Sequence, residues 1–168
     1  NNKEVTFDYP IKPGTKEWCK YESTLDRVKA LQIPQYILTG LSTETLLDIC
    51  LDYPFLIELS LDDNYQKNLE IIVSQFNGLQ ELLNRSNLCD VLLAKNEQLM
   101  NNAPEMAKYG KRTQAVYAFK CFVVELLLTQ DKLINSVVNR NKIIEVFKEN
   151  QSVRQKNEQS FRRINDTT

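Results

Sequence analysis

Residues 111–129 read KRTQAVYAFKCFVVELLLT, an unbroken run without glycine or proline. The whole chain holds only four glycines and five prolines, a scarcity that favours long helices over many short strands. Projected at about 100° per residue, Lys111, Gln114, Ala118, Glu125 and Thr129 fall on one narrow, relatively polar side. Val116, Phe119, Val123, Val124, Leu126, Leu127 and Leu128 cover most of the remaining circumference. A helix apolar nearly all round belongs inside other helices, so this one is expected at the centre of an all-α fold.

Lys120 is the exception on that helix. It projects opposite the polar strip, among Val116, Val123, Val124 and Leu127. An amine there snorkels past its neighbours, pairs with a buried acid, or loses its proton more readily than usual. Only the last would make it a catalytic amine, and the first two are the expectation. Lys120 is therefore a candidate ligand or partner contact.

The neighbouring segments continue the helical pattern. Downstream, Asp131 to Val138 continues the helix after a break or forms a short one, and Asn139 to about Glu158 reads as the last helix. The apolar face of that last helix (Ile143, Ile144, Val146, Phe147) ends near Phe147. Only Val153, Phe161 and Ile164 follow, which predicts an exposed, frayed end. Arg154, Lys156, Arg162 and Arg163 are broken up by Glu158 and Asp166, so they read as a solvated helix end rather than a nucleic-acid arm.

Upstream, Asn101 to Gly110 is a connection containing Pro104, and Ser86 or Asn87 caps a helix through Leu88, Val91, Leu92 and Leu99. Asn77-Gly78 has no strands beside it and reads as a break between two helices rather than a hairpin. Asp62-Asp63-Asn64 offers an N-cap to Leu69, Ile72, Val73 and Phe76. Pro54 closes a helix that Ser42 opens, and Phe55, Leu56, Ile57 and Leu59 form a further turn. Gly40 is placed to end a short helix begun by Pro34 in a left-handed conformation. Ser23 and Asp26 resemble a capping box.

Residues 1–20 differ from the rest. Val5-Thr6-Phe7-Asp8-Tyr9-Pro10 has a short alternating character, and Lys12-Pro13-Gly14-Thr15 is a turn signal. The expectation is an extended N-terminal arm laid on the domain by Phe7, Tyr9 and Trp18, with Tyr9 and Trp18 as further candidate contacts. Together these readings predict a single helical domain over 21–168 with seven to nine helices. Its helices would form an orthogonal bundle or a short α-solenoid-like stack, and no fixed-period repeat is visible.

Composition removes several kinds of chemistry. Among 168 residues there is no histidine, the commonest general base and metal ligand, and no Gly-rich phosphate loop. Cys19, Cys50, Cys89 and Cys121 lie about thirty residues apart, too far for a zinc knuckle, and the last three sit in apolar stretches as buried thiols would. No cofactor and no metal site is expected. A net charge of −1 provides no field for nucleic acid, and no apolar run could span a bilayer. Asp48 with Asp52, and Asp62 with Asp63, are paired acids that read as a solvated face and a helix cap.

Two segments resemble a known family. Leu41-Ser42-Thr43-Glu44-Thr45-Leu46-Leu47 runs on to Leu51-Asp52-Tyr53-Pro54, and Phe76-Asn77-Gly78-Leu79-Gln80-Glu81-Leu82-Leu83-Asn84-Arg85 follows it. With Asp8-Tyr9-Pro10 and Lys16-Glu17-Trp18, they resemble an uncharacterised family of secreted or lipid-anchored proteins from gut Bacteroidetes, over roughly residues 7–95. The resemblance implies an envelope location, a signal segment removed ahead of Asn1-Asn2, and membrane association only through a removed lipid anchor. It implies no activity and no catalytic residue.

The expected function is a non-catalytic helical domain of the bacterial cell envelope that binds a protein or small ligand. The alternatives are an inhibitor or immunity-type protein and an unrecognised hydrolase. The inhibitor would need a concentrated acidic surface such as Asp48, Asp52, Glu58, Asp62 and Asp63. The hydrolase would use Lys120 or a carboxylate pair in a cleft.

Overall fold

The computed structural model describes residues 5–161. It is all-α. Among the described residues there are eleven α-helices and two 3-10 turns. The excess over seven to nine lies in four one-turn helices, α1 (Lys16–Cys19), α3 (Gln35–Leu38), α8 (Ala103–Met106) and α10 (Asp131–Ile134). Two of these, α1 and α8, fall where the sequence reads an arm and a connection, since a single turn has too few residues to display a 3.6-residue period. Arg162, Arg163, Ile164 and Asp166 lie outside the described residues.

The chain divides into two compact units, Asn1–Leu88 and Cys89–Thr168. The first unit holds α1, α2 (Thr24–Ala30), α3, α4 (Thr43–Leu51), a 3-10 turn at Leu56–Ser60, α5 (Tyr65–Gln75) and α6 (Asn77–Asn84). Its caps follow from its sequence. Ser23, Ser42 and Asn64 each accept a backbone N–H from the third residue on, satisfying a donor the first turn leaves free.

Segments far apart in sequence are tied by amide and guanidinium groups aimed at backbone. Asn77 Oδ1 accepts from Ile33 N at 3.0 Å, and its Nδ2 donates to Ile33 O at 2.8 Å. Gln32 accepts from Asn77 N and donates to Gln75 O. Arg85 donates to Leu38 O and Leu41 O, carbonyls at and just beyond the end of α3. Thr43 Oγ1 donates to Asn87 Oδ1 at 2.7 Å. Residues 75–85 are thus fastened chiefly to residues 32–41, with Asn77 and Arg85 as the structural fasteners.

Two glycines serve close approach or turning. A Cβ on Gly78 would lie 2.4 Å from the Phe76 ring and 3.0 Å from Ile33 Cδ1, so the Phe76 ring can fold back only over glycine. Gly40 is not left-handed, contrary to the sequence reading; a Cβ there would crowd Val5 at 3.2 Å. The left-handed position is Gly14, at φ 82°, in the turn that Thr15 N closes on Lys12 O.

The second unit holds α7 (Leu88–Asn101, which starts at the boundary), α8, α9 (Lys111–Leu128), α10, α11 (Val137–Lys156) and a 3-10 turn at Glu158–Phe161. Met100, Ala103, Tyr117 and Cys121 form a core cluster on which Leu99, Met106, Val153 and Phe161 pack. The end of α11 is therefore not frayed as expected. Asn150 and Ser160 are buried, and Ser160 Oγ donates to Ala103 O. No helix among the described residues is long and apolar enough to cross a membrane.

Candidate functional site

Tyr9, Trp18 and Lys120 were the residues singled out from sequence. Tyr9 lies in the core of the first unit, 8% exposed, and its hydroxyl donates to Ile49 O at 2.7 Å. Residues 5–11 have no regular structure, yet Tyr9 and Ile11 are both buried, and residues 16–19 are helical rather than extended. Trp18 is half-buried, with Arg27 5.2 Å over its ring. Ring contacts connect the two aromatics: Tyr9 to Tyr53 at 6.1 Å, Tyr53 to Phe55 at 6.0 Å, and Phe55 to Trp18 at 5.5 Å. Phe76 stacks flat on Tyr53 at 4.0 Å.

Burial raises the Tyr9 hydroxyl well above its ordinary range and pushes Tyr53 up to about 12, helped there by the Glu58 carboxylate. The Tyr53 hydroxyl is buried with no hydrogen-bond partner. All four cysteines are free; Cys19 is exposed and the other three are buried. Burial raises the Cys50 thiol and takes Cys121 up to about 11, so neither is primed as a nucleophile.

A hollow of about 630 Å³ lies along Lys20, Tyr21, Glu22, Asp26, Lys29 and Ala30. It is broad and open, whereas a small-molecule site encloses most of its ligand. Lys120 does not line it; that lysine is half-buried on α9 in the second unit. Among the described residues, no group of three or more Cys, Asp or Glu side chains is arranged to hold a metal ion.

Two positions of the polar strip on α9 turn inward, while Lys111 and Thr129 at its ends are exposed. Gln114 is buried and donates to three carbonyls at Met106, Ala107 and Tyr109. Glu125 accepts from Asn150 at 2.6 Å and from both Arg154 terminal nitrogens at 2.6 and 2.9 Å. Asn150 also exchanges two bonds with Asn96, at 2.9 and 2.7 Å. This bidentate pair and double amide join α7, α9 and α11. Conversely Val116, assigned to the enclosed side, is 52% exposed.

The surface feature that sequence reading missed lies around the 3-10 turn of the first unit. Leu56 and Leu59 are buried, while Ile57 and Leu61 are 59% and 77% exposed. With three residues per turn, residues 56 and 59 share the inner side, so the outer side is left with Ile57. The strong apolar content of FLIELSL hides this, because both sides of the turn are aliphatic; the 3-10 spacing was the available signal.

Acids surround this ledge in sequence. Asp52, Asp62 and Asp63 are exposed and Glu58 is half-exposed, as Asp48 is exposed on α4. Between Lys29 and Lys67 there is no Lys or Arg at all. The asymmetry extends further: residues 1–88 carry 8 basic and 13 acidic side chains, residues 89–168 carry 13 and 9. A net charge of −1 conceals two units of opposite sign. No family model matches the chain, and neither the curated proteins nor the solved structures contain a match.

Proposed function

We propose that this chain is a non-catalytic helical binding domain of the bacterial cell envelope whose docking surface is the acidic ledge around Ile57 and Leu61. The observation that carries the reading is the pair of aliphatics standing in water at 59% and 77% exposure on a stretch whose only charges are negative. Exposed aliphatics cost solubility, and a binding role explains their place. The acids select a partner that presents basic residues beside an apolar anchor, and they repel polyanions and anionic lipid. A protein partner is favoured over a small ligand because the hollow at residues 20–30 is open.

The envelope location rests on the resemblance of residues 41–54 and 76–85. The role of those residues as fasteners supports a conserved architecture rather than a shared reaction. The excess of acid on the first unit also favours the inhibitor or immunity reading, in which the basic partner is an enzyme. The hydrolase reading has less support, since Lys120 does not line the hollow.

A cationic amphipathic peptide of leucine and lysine, with a leucine–glutamate peptide as control, tests the surface. Binding of the first, measured by fluorescence anisotropy at low salt, should be at least about tenfold tighter than of the second and should weaken steeply with salt. Equal binding of both peptides, or of neither, would overturn the proposal.

A further inference from the structure

The ledge has a complement on the same chain. Val137, Val138 and Ile144 are 59%, 65% and 45% exposed on the first half of α11. Val137, Asn141, Ile144 and Lys148 follow i, i+4, i+7 and i+11 spacing, so they form one row, with Val138 beside it. Ile143 and Asn150, on the other side of the helix, are buried. Along Val137–Lys148 the charges are Arg140, Lys142 and Lys148 against Glu145 alone. The first unit therefore displays aliphatics among acids, and the second displays aliphatics among bases.

We infer that the chain associates with itself head to tail, the Ile57–Leu61 ledge of one copy seating the first half of α11 of another. This rests on the reading of the ledge as a docking surface and names its occupant as a second copy. Like pairings are disfavoured, because ledge against ledge sets acids on acids and α11 against α11 sets bases on bases. Only the unlike pairing joins opposite charges while covering aliphatics on both sides. Such a contact either leaves one free ledge and one free α11 face on each dimer, so that assembly continues with concentration, or closes into a ring, of two copies where the contact forms reciprocally. Five aliphatics make a small apolar centre, so the contact is weak and salt-sensitive.

Charge reversal with mixing tests it. Asp48→Lys/Asp52→Lys/Glu58→Lys leaves only Asp62 and Asp63 against three lysines and makes the ledge basic, and Arg140→Glu/Lys142→Glu makes α11 acidic. Asp48 and Asp52 lie in the last turn and at the end of α4, where lysine suits the helix dipole, and Arg140 lies near the start of α11, where glutamate does. Sedimentation equilibrium of the wild type at about 20 mM ionic strength should show mean mass rising with concentration, and the association should weaken at least about tenfold in about 0.5 M salt. Each variant alone should stay monomeric. An equimolar mixture should regain concentration-dependent assembly with the two variants alternating, because the reversed ledge meets the reversed α11 and the native ledge of one variant still meets the native α11 of the other. That rescue also shows both variants to be folded.

A wild type monomeric at about 1 mM overturns self-association. So does a mixture that stays monomeric, or either variant assembling alone. If a monomeric wild type still binds the leucine–lysine peptide, the ledge remains a docking surface for another protein. If it binds neither, both readings fall.

Discussion

The two units solve the same problem with different materials. The first is held by aromatic rings and by side-chain amides that bond to backbone. Phe76 lies fully buried against Tyr53 and Tyr9, and Asn77, Gln32 and Arg85 each reach main-chain atoms. The second also uses backbone-directed bonds from Gln114, Tyr117 and Ser160, and adds a network of side chains that bond to one another, through Asn96, Glu125, Asn150 and Arg154. Backbone-directed fasteners fix where a segment runs and tolerate changes elsewhere. A side-chain network fixes the register of three helices but fails as a set, because each member left alone is a buried polar group without its partner.

Substitutions can break this contrast. Phe76→Ala should have the largest effect, about 3–5 kcal/mol in denaturant unfolding, since it empties the centre of the first unit. Asn150→Ala should follow at about 2–3 kcal/mol, because it strips a bond from Glu125 and both from Asn96. Hydrogen exchange should localise the first loss to residues 5–88 and the second to residues 89–161. A loss spread evenly by either variant would contradict the division of labour. Gly78→Ala should cost about 1–3 kcal/mol, as its methyl meets the Phe76 ring.

Two tyrosines sharpen the picture within the first unit. Tyr9→Phe should cost about 1 kcal/mol, because Ile49 O loses its donor. Tyr53→Phe should be neutral or stabilising by up to about 1 kcal/mol, because the Tyr53 hydroxyl is buried without a partner. The same burial sets an alkaline limit. The folded pKa of Tyr53 is raised from 10.0 to about 12, so its contribution is intact below pH 10 and lost as pH rises from 10 towards 12. Melting temperature measured across that window should fall less steeply for Tyr53→Phe than for wild type.

Much of the fold was legible because it is carried by local chemistry. Ser42, Ser23 and Asn64 cap where hydroxyl and amide caps belong, and the Asn77-Gly78 break falls between α5 and α6. The enclosure of Gln114 and Glu125 was not legible in the polar strip of α9. Gln114 and Glu125 are polar and enclosed since other side chains and carbonyls satisfy them, and those partners lie up to 29 residues away. No local pattern reveals a partner at that distance. The candidate site was missed because Ile57 reads only as part of a further apolar turn and Leu61 was not singled out. Tyr9 was a fair guess at a special residue, but its special role is structural.

The decisive measurement is on Ile57→Ser/Leu61→Ser, followed for stability and for binding in the same preparation. Both side chains stand in solvent, so unfolding free energy should stay within about 0.5 kcal/mol of wild type. Affinity for the leucine–lysine peptide should fall at least about tenfold, because the acids remain but the apolar anchor is gone. Undiminished binding, or a large loss of stability, would contradict the assignment of the ledge as the docking surface.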